Sequence, residues 1–342
     1  MIMKIYQVGG SVRDELLGIN TKDKDWVVVG SSPELMIKEG YKPVGKDFPV
    51  FIHPKSNEEY ALARTEKKDG YGYKGFRFYH GADVTLKEDL SRRDLTINAI
   101  AKDPKGKLID PFGGIDDIKN KKFKHVSPAF LEDPLRAIRV ARFKTYPHLK
   151  DFEINESTKK MLLDIGNSGE LKHLSKDRIW KEIELVIESN HAANFFKFLL
   201  DFDLSNPWLK DLAHPECQEN VTSHAKWADL EFKNDFLLGQ NIPIPNRYKV
   251  YVKLLKNLIK INTNTSNEEL VEIIEELNFH RNLNEISDLL LLNILETNKE
   301  FIKKLGDNII KEDFASLKDV KKNEVKNLKI ELIKRAIGKT YE

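Results

Sequence analysis

The sequence predicts an α+β protein, with a sheet in its first third and helices after it. Three observations lead there. Short apolar runs at residues 5–8, 26–29, 50–52 and 60–63 are separated by glycine and polar turns, as strands are. Helical stretches lie between them; that at 12–17 ends at Gly18, where a left-handed residue commonly closes a helix. From about Asp133 the apolar spacing becomes helical, in Ile179, Trp180, Ile183, Val186 and Ile187 and again in Leu270, Ile273, Ile274 and Leu277. The first third alone reads as α/β or α+β; the helical remainder makes the whole chain α+β.

A chain of 342 residues exceeds the usual content of one core, so two or three packed units are expected. The polar run at 262–267 reads as a linker between helical units or as a loop inside one. No internal repeat has a convincing period. With 32% charged residues, 40% hydrophobic residues and a net charge of +2, the composition excludes disordered and membrane classes. Residues 301–342 carry eleven Lys/Arg against seven Asp/Glu, an excess that suits phosphate contact and is equally common on solvated helices. The single cysteine, Cys217, permits neither a disulfide within the chain nor a cysteine-based zinc cluster, which fits a reducing cytoplasm. Residues 1–10 lack a long apolar core, and the longest apolar run, near 289–292, cannot span a bilayer. A soluble, cytoplasmic protein without a membrane partner is expected.

The strongest local constellation is Gly9, Gly10, Ser11, Val12, Arg13 and Asp14, between a strand and a helix, followed by Asp23 and Asp25 at the next strand. Two glycines let the backbone approach a triphosphate, the helix start offers free N–H groups, and Arg13 adds a charge-assisted contact. Positions i and i+2 of a strand share a face, so Asp23 and Asp25 converge where hard divalent cations bridge carboxylates and phosphates. That is the donor set of two-metal phosphoryl transfer. Alone, the glycines are an ordinary turn and the acidic pair a solvated corner; their order and spacing together favour function.

A second constellation runs through Arg92, Arg93, Asp94, Thr96 and Asn98. It places Arg93 near phosphates, and Asp94 and Asn98, helical i, i+4 partners, near a ribose hydroxyl; the alternative is a helix capped by Asp94. The third contains Glu132, Asp133, Pro134, Arg136, Arg139 and Arg142. Pro134 suits the first helical position, which gives Asp133 a capping role too. On a helical wheel Asp133, Arg136 and Arg139 share one broad face while Arg142 points nearly opposite Asp133. A carboxylate acceptor beside a guanidinium donor can read the edge of a base, so Asp133 and Arg136 are the base-reading candidates. Glu58 and Glu59 are candidates for a further carboxylate; Cys217 and Trp208 are assigned to structure.

These segments resemble the class II tRNA nucleotidyltransferases, or CCA-adding enzymes, which share a polymerase-β-like head with bacterial poly(A) polymerases. The resemblance rests on GGSVRDELLG with KDKDW, RRDLTINA, DPFGG, EDPLRAIRVARF and LSKDRIWKEI, in family order over roughly the first 190 residues. KDKDWVVVG and VGKDFPVF are similar to the gammaproteobacterial type. The resemblance implies a nucleotidyltransferase head with a mixed sheet at 1–125, a helical neck with a nucleotide-selecting helix at 126–200, and a helical body and tail for tRNA at 201–342. It implies Asp23 and Asp25 as catalytic ligands of Mg2+, and Gly10 and Arg13 at the triphosphate. Arg93, Arg139 and Arg142 would meet the nucleotide, Asp94 and Asn98 the ribose. Asp133 and Arg136 would act as a protein template selecting CTP, then ATP, for the tRNA 3′ end. Residues 67–82, with four glycines and five aromatic residues, read as a mobile loop or as a hairpin tip. No histidine is followed by aspartate, so the HD phosphohydrolase site of many relatives is not expected. The competing readings are a poly(A) polymerase, an A-adding enzyme, a small-molecule nucleotidyltransferase, and an RNA-binding module with a decayed site.

Overall fold

The computed structural model describes residues 3–21, 23–44, 50–68, 76–319, 321 and 323–342. The chain forms two compact units, Met1–Val186 with Asn194–Lys210, and Ile187–Ala193 with Asp211–Glu342.

The first unit is built on a seven-stranded mixed sheet. Its strands are β1 (Lys4–Val8), β2 (Asp25–Val29), β3 (Lys42–Val44), β4 (Val50–Ile52), β5 (Glu59–Leu62), β8 (Ala101–Lys102) and β9 (Leu108–Ile109), in the order β3-β4-β5-β2-β1-β8-β9. β2 and β5 run parallel, with Trp26 opposite Tyr60, while the other neighbours are antiparallel. Alternation along β2 feeds two cores: Val27 packs with Val8, Leu90 and Ala101, whereas Val28 packs with Met36, Phe51 and Leu62. A strand covered on both faces reads as an unbroken apolar run, which is why WVVV was legible. A separate hairpin joins β6 (Thr65–Lys68) to β7 (Phe76–Tyr79), so 67–68 and 76–79 of the segment expected as a mobile loop or hairpin tip are paired strand, and its residues 69–75 lie outside the described residues.

Helix α1 (Gly10–Leu16) follows β1 directly, and Gly18 just beyond it is left-handed at φ +75°. Helix α2 (Pro33–Lys38) is capped by Ser32, and α3 (Leu86–Ser91) by a reciprocal box of Thr85 and Glu88. The DPFGG segment starts α4 (Gly114–Lys119): Asp110 accepts from the backbone N–H groups of Gly114 and Ile115. A Cβ at Gly114 would lie 2.1 Å from the Thr96 carbonyl oxygen, so only glycine lets α4 pack there. Next come α5 (Leu135–Phe143), α6 (Glu156–Ser168) and α7 (Lys176–Ile187), with a short parallel pair of β10 (Lys122–Phe123) and β11 (Glu153–Ile154).

The second unit is helical, comprising α9 (Ser223–Lys233), α10 (Asn246–Leu258), α11 (Asn267–Leu277), α12 (Phe279–Leu289), α13 (Lys299–Lys311) and α14 (Val325–Tyr341), while α8 (Ala192–Asp201) precedes them in the chain. One core gathers Leu254 and Leu258 of α10, Leu270 and Ile274 of α11, and Ile333 and Ile337 of α14. The run at 262–267 is therefore a loop inside one unit; it turns on a Thr265 hydroxyl bond and caps α11 through Ser266. No helix among the described residues is long and apolar enough to cross a membrane.

Candidate active site

A cavity of about 500 Å³ in the first unit collects most of the residues singled out above. The sheet side contributes Gly9, Gly10, Arg13, Asp25, Arg93, Asp94 and Asn98; the helices α5 and α7 and the turn before α5 contribute Asp133, Arg136, Arg139, Arg142 and Arg178. Among the described residues of its lining, eight arginines face four carboxylates, an excess of positive charge suited to a polyphosphate.

Its glycine turn is tied to one conformation. Gly9 ends β1 at φ +76°, and a Cβ there would stand 2.9 Å from Nη1 of Arg93 and 3.6 Å from Oδ2 of Asp25. Arg93 and Asp25 thus flank the same turn. Asp25 opens β2 directly opposite Val8. Both it and Asp23 are exposed, and only Asp25 lines the cavity. Partial enclosure raises the Asp25 pKa, Arg93 and Arg139 oppose the rise, and the like charge of Asp23 adds to it. The two carboxylates are electrostatic neighbours, and a cation between them relieves that repulsion. Hard oxygen donors of this kind fit Mg2+, which takes one or two carboxylates and completes its shell with water and substrate phosphates. Among the described residues no group of three or more His, Cys, Asp or Glu is placed to hold a metal. Glu58 and Glu59 do not line the cavity.

The arginines are held by carboxylates behind them. Asp89 is fully buried; burial pushes its pKa up, but Arg92 and Arg93 outweigh this and hold it below the carboxylate range. Arg92 bonds Asp89 at 2.8 Å and Glu66 at 2.7 Å, and Arg93 reaches Asp89 at 3.3 Å. The Nε of Arg93 is buried without a hydrogen-bond partner among the described residues, a donor that an anionic substrate would satisfy. Arg13 is 3% exposed and fixed by Asp14 and by Oδ1 of Asn98, each at 2.7 Å.

Asp94 and Asn98 meet at 2.9 Å, but not as i, i+4 neighbours on an α-helix: Asp94 precedes a single 3-10 turn, Thr96–Asn98. Asp94 accepts from Arg139 Nε at 2.9 Å and from the Leu95 N–H at 2.9 Å. Burial would raise its pKa, yet Arg139 and Asn98 hold it far below the usual range. In this arrangement Asp94 positions Arg139, and Asn98 positions Arg13.

Around α5, Asp133 combines two tasks. One oxygen accepts from the Leu135 N–H at 3.1 Å, as a cap does, with Pro134 already helical at φ −58°; the other accepts from Arg178 at 2.8 Å. Arg136 donates to the Ala129 carbonyl at 2.6 Å and reaches Glu66 at 3.4 Å. Arg142 lines the same cavity as Asp133, contrary to the helical-wheel expectation. The wheel fails because Asp133 is extended, at φ −116° and ψ 101°, outside the helix. Arg142 pairs with Glu182 at 2.5 Å and with the Tyr146 hydroxyl.

Glu66, Asp89, Arg178 and Glu182 were not foreseen. Arg178 and Glu182 lie four apart on α7 within LSKDRIWKEI, a spacing that puts both on one face and was readable. Asp89 stands three and four residues before Arg92 and Arg93, a helical spacing that was readable too, whereas Glu66 gave no local signal. Outside the cavity, Trp208 donates to the Leu171 carbonyl at 2.9 Å, and burial pushes the Cys217 thiol up to about 12.

Residues 5–124 match the family described as the poly A polymerase head domain, and residues 151–214 that described as a probable RNA and SrmB-binding site of polymerase A. The chain is similar to the CCA-adding enzyme of Bacillus stearothermophilus in complex with CTP, with 27% identity, 80% of this chain and 71% of that one covered, and a TM-score of 0.63. A structure of a tRNA-processing enzyme complex shares 24% identity, covers 97% of this chain and 96% of that one at a TM-score of 0.60, and shows likeness of fold alone. A tRNA nucleotidyltransferase complexed with a primer tRNA and an incoming ATP analog is 25% identical, with 98% and 91% covered and a TM-score of 0.50.

Proposed function

Since this chain belongs to the class II tRNA nucleotidyltransferases, whose head is shared with poly(A) polymerases, we propose that it adds CCA to the 3′ end of tRNA from CTP and ATP, without a nucleic-acid template. The observation that carries the reading is the meeting, in one cavity, of Gly9, Gly10 and Asp25 with Asp133 and Arg136. One set has the chemistry of a triphosphate site, the other that of a base reader.

Asp23 and Asp25 are the residues that would hold Mg2+, which when bound lowers the pKa of an attacking 3′-hydroxyl and neutralises charge on the departing pyrophosphate. Arg93, whose Nε has no hydrogen-bond partner among the described residues, and the arginine-rich lining receive the triphosphate. Because Asp89 and Asp94 fix Arg93 and Arg139 beforehand, little reorganisation accompanies the reaction. At the base, the Asp133 carboxylate accepts and the Arg136 guanidinium donates. Cytosine and adenine both present an amino donor beside a ring-nitrogen acceptor, whereas uracil and guanine present the reverse. An acceptor beside a donor therefore favours C and A together. No side chain acts as a covalent nucleophile. We place the activity in the cytoplasm, with which a lone buried cysteine is consistent.

The test is incubation of the full chain and magnesium with tRNA lacking its terminal CCA, given CTP, ATP or both. Two cytidines followed by one adenosine support the proposal. Unlimited A addition would point to a poly(A) polymerase, A addition only to tRNA already ending in CC to an A-adding enzyme, and binding without incorporation to a decayed RNA-binding module.

A further inference from the structure

Arg13 is anchored by a neighbour that helix geometry does not offer it. Its Nε donates to Oδ1 of Asp14, the next residue along α1, at 2.7 Å. Successive side chains on a helix point about 100° apart and do not face each other, so this pair forms only if the carboxylate is turned back and kept there. What keeps it there comes from a distant part of the chain. Nε2 of His148 lies 3.0 Å from the same Oδ1, across 134 residues of sequence. A carboxylate only accepts, so Nε2 carries the hydrogen and donates. Oδ1 of Asp14 thus has two donors, one on α1 and one in the turn that follows α5.

The turn that carries His148 is itself fixed. The Leu149 and Lys150 N–H groups both donate to the Tyr146 carbonyl, at 2.9 and 2.8 Å, Leu149 is fully buried, and Nζ of Lys144 donates to the Phe152 carbonyl at 2.8 Å. The Tyr146 hydroxyl accepts from Arg142, and the His148 ring lies 5.8 Å from that of Tyr146. His148 therefore ties α1 to the end of the helix that bears Arg136, Arg139 and Arg142. The Arg13 guanidinium is boxed in. Nε goes to Asp14 and Nη1 to Asn98, and the rings of Phe143 and Tyr146 lie 5.6 and 5.9 Å from Cζ. Nη2 stands by the glycine turn, 3.3 Å from where a Cβ on Gly10 would be. Arg13 lines the cavity, whereas Asp14 and His148 do not.

We propose that His148 is a positioning residue for nucleotide binding: acting through Asp14, it orients Arg13 so that one edge of the guanidinium is presented to the triphosphate. A long side chain fixed before the ligand arrives loses less freedom on binding, and affinity gains by that difference. Phosphates are common to CTP and ATP, and the base is read elsewhere, at Asp133 and Arg136. His148 thus acts on the affinity for both nucleotides and not on the choice between them. The proposal rests on the reading that the cavity takes a nucleoside triphosphate. A contact that served only the stability of the fold would change Tm and leave phosphate affinity as it was.

The experiment uses the full chain with magnesium and measures the Kd for CTP by isothermal titration calorimetry, with tripolyphosphate as a competitor that has no base or sugar. His148→Ala removes the donor, His148→Gln supplies an amide N–H of similar reach, and Asp14→Asn removes the charge of the acceptor. His148→Ala should weaken CTP and tripolyphosphate alike, by about tenfold, the size of one hydrogen bond to a charged group. The KM for CTP and for ATP should rise by the same factor, with the preference among the four nucleotides and the KM for tRNA unchanged. His148→Gln should recover most of the affinity. In a double-mutant cycle, His148→Ala should cost little more once Asp14→Asn is present. Wild-type affinity for CTP and tripolyphosphate in His148→Ala overturns the proposal. So does a loss that adds in full to that of Asp14→Asn, since His148 would then act by another route. Should His148→Ala fold poorly, His148→Asn, whose shorter amide stops short of Asp14, replaces it, and equal affinities for the Asn and Gln variants overturn the proposal. A wild-type chain that binds neither CTP nor tripolyphosphate defeats the proposed function and this inference with it, a result distinct from tight wild-type binding that His148 does not affect.

Discussion

Asp94→Asn separates two roles for one carboxylate. The substitution keeps the size of the side chain and removes its charge, leaving one carbonyl oxygen for three donors: Arg139 Nε, Asn98 Nδ2 and the Leu95 N–H. Removing one partner of a fully buried ion pair costs roughly 3–5 kcal/mol. Here the Asp94 side chain is 5% exposed but that of Arg139 is 40% exposed, so water screens the stranded guanidinium. A loss of about 2 kcal/mol is expected on that discount. For a unit of this size it corresponds to a fall in Tm of about 4–8 °C. Because the folded pKa of Asp94 is depressed, its contribution is present above the unfolded value near 3.9 and is lost as pH falls through the folded one. The Tm difference between wild type and variant should therefore hold from about pH 5 to 8 and close only in strong acid. Thermal melts followed by circular dichroism measure this, beside incorporation assays with ribo- and deoxynucleotides. A variant with unchanged Tm that accepts deoxynucleotides would refute the positioning role and make Asp94 a ribose contact.

Asp23→Asn and Asp25→Asn should each lower magnesium-dependent incorporation by several orders of magnitude, with tRNA affinity retained in an anisotropy assay; near-normal incorporation removes the metal assignment. Arg136→Ala should change the preference among CTP, ATP, UTP and GTP, read by single-nucleotide incorporation; a uniform loss would deny it a part in reading the base. Arg178→Ala frees one Asp133 oxygen and should blur the same preference more than it lowers kcat, a split visible in steady-state kinetics. Gly9→Ala forces a Cβ against Arg93 and strains a left-handed turn; a rise in KM for both nucleotides is expected, and wild-type kinetics would show that the turn relaxes freely.

Much of the fold was written locally. The runs at 5–8, 26–29, 50–52 and 60–63 are strands within a residue of their expected ends, and the helices at 179–187 and 270–277 follow their apolar spacing. These patterns depend on the two backbone periods and on burial, both of which act over a few residues. Local patterning could not choose between a linker and a loop at 262–267; packing of α10 and α11 into one core decided it. Nor could a helical wheel orient Asp133, because that residue is extended and the helix begins only after it, later than the wheel assumes.

By itself the sequence determined the α+β class, the glycine turn with its neighbouring aspartates, and the family. Tertiary structure alone decided which side chains remain available for substrate. Arg13 is held by Asn98, 85 residues away, Arg139 by Asp94, 45 residues away, and Arg136 by Glu66, 70 residues away. Such a contact forms wherever the fold brings a long guanidinium within reach of a carboxylate or amide oxygen, and sequence separation places almost no constraint on that meeting.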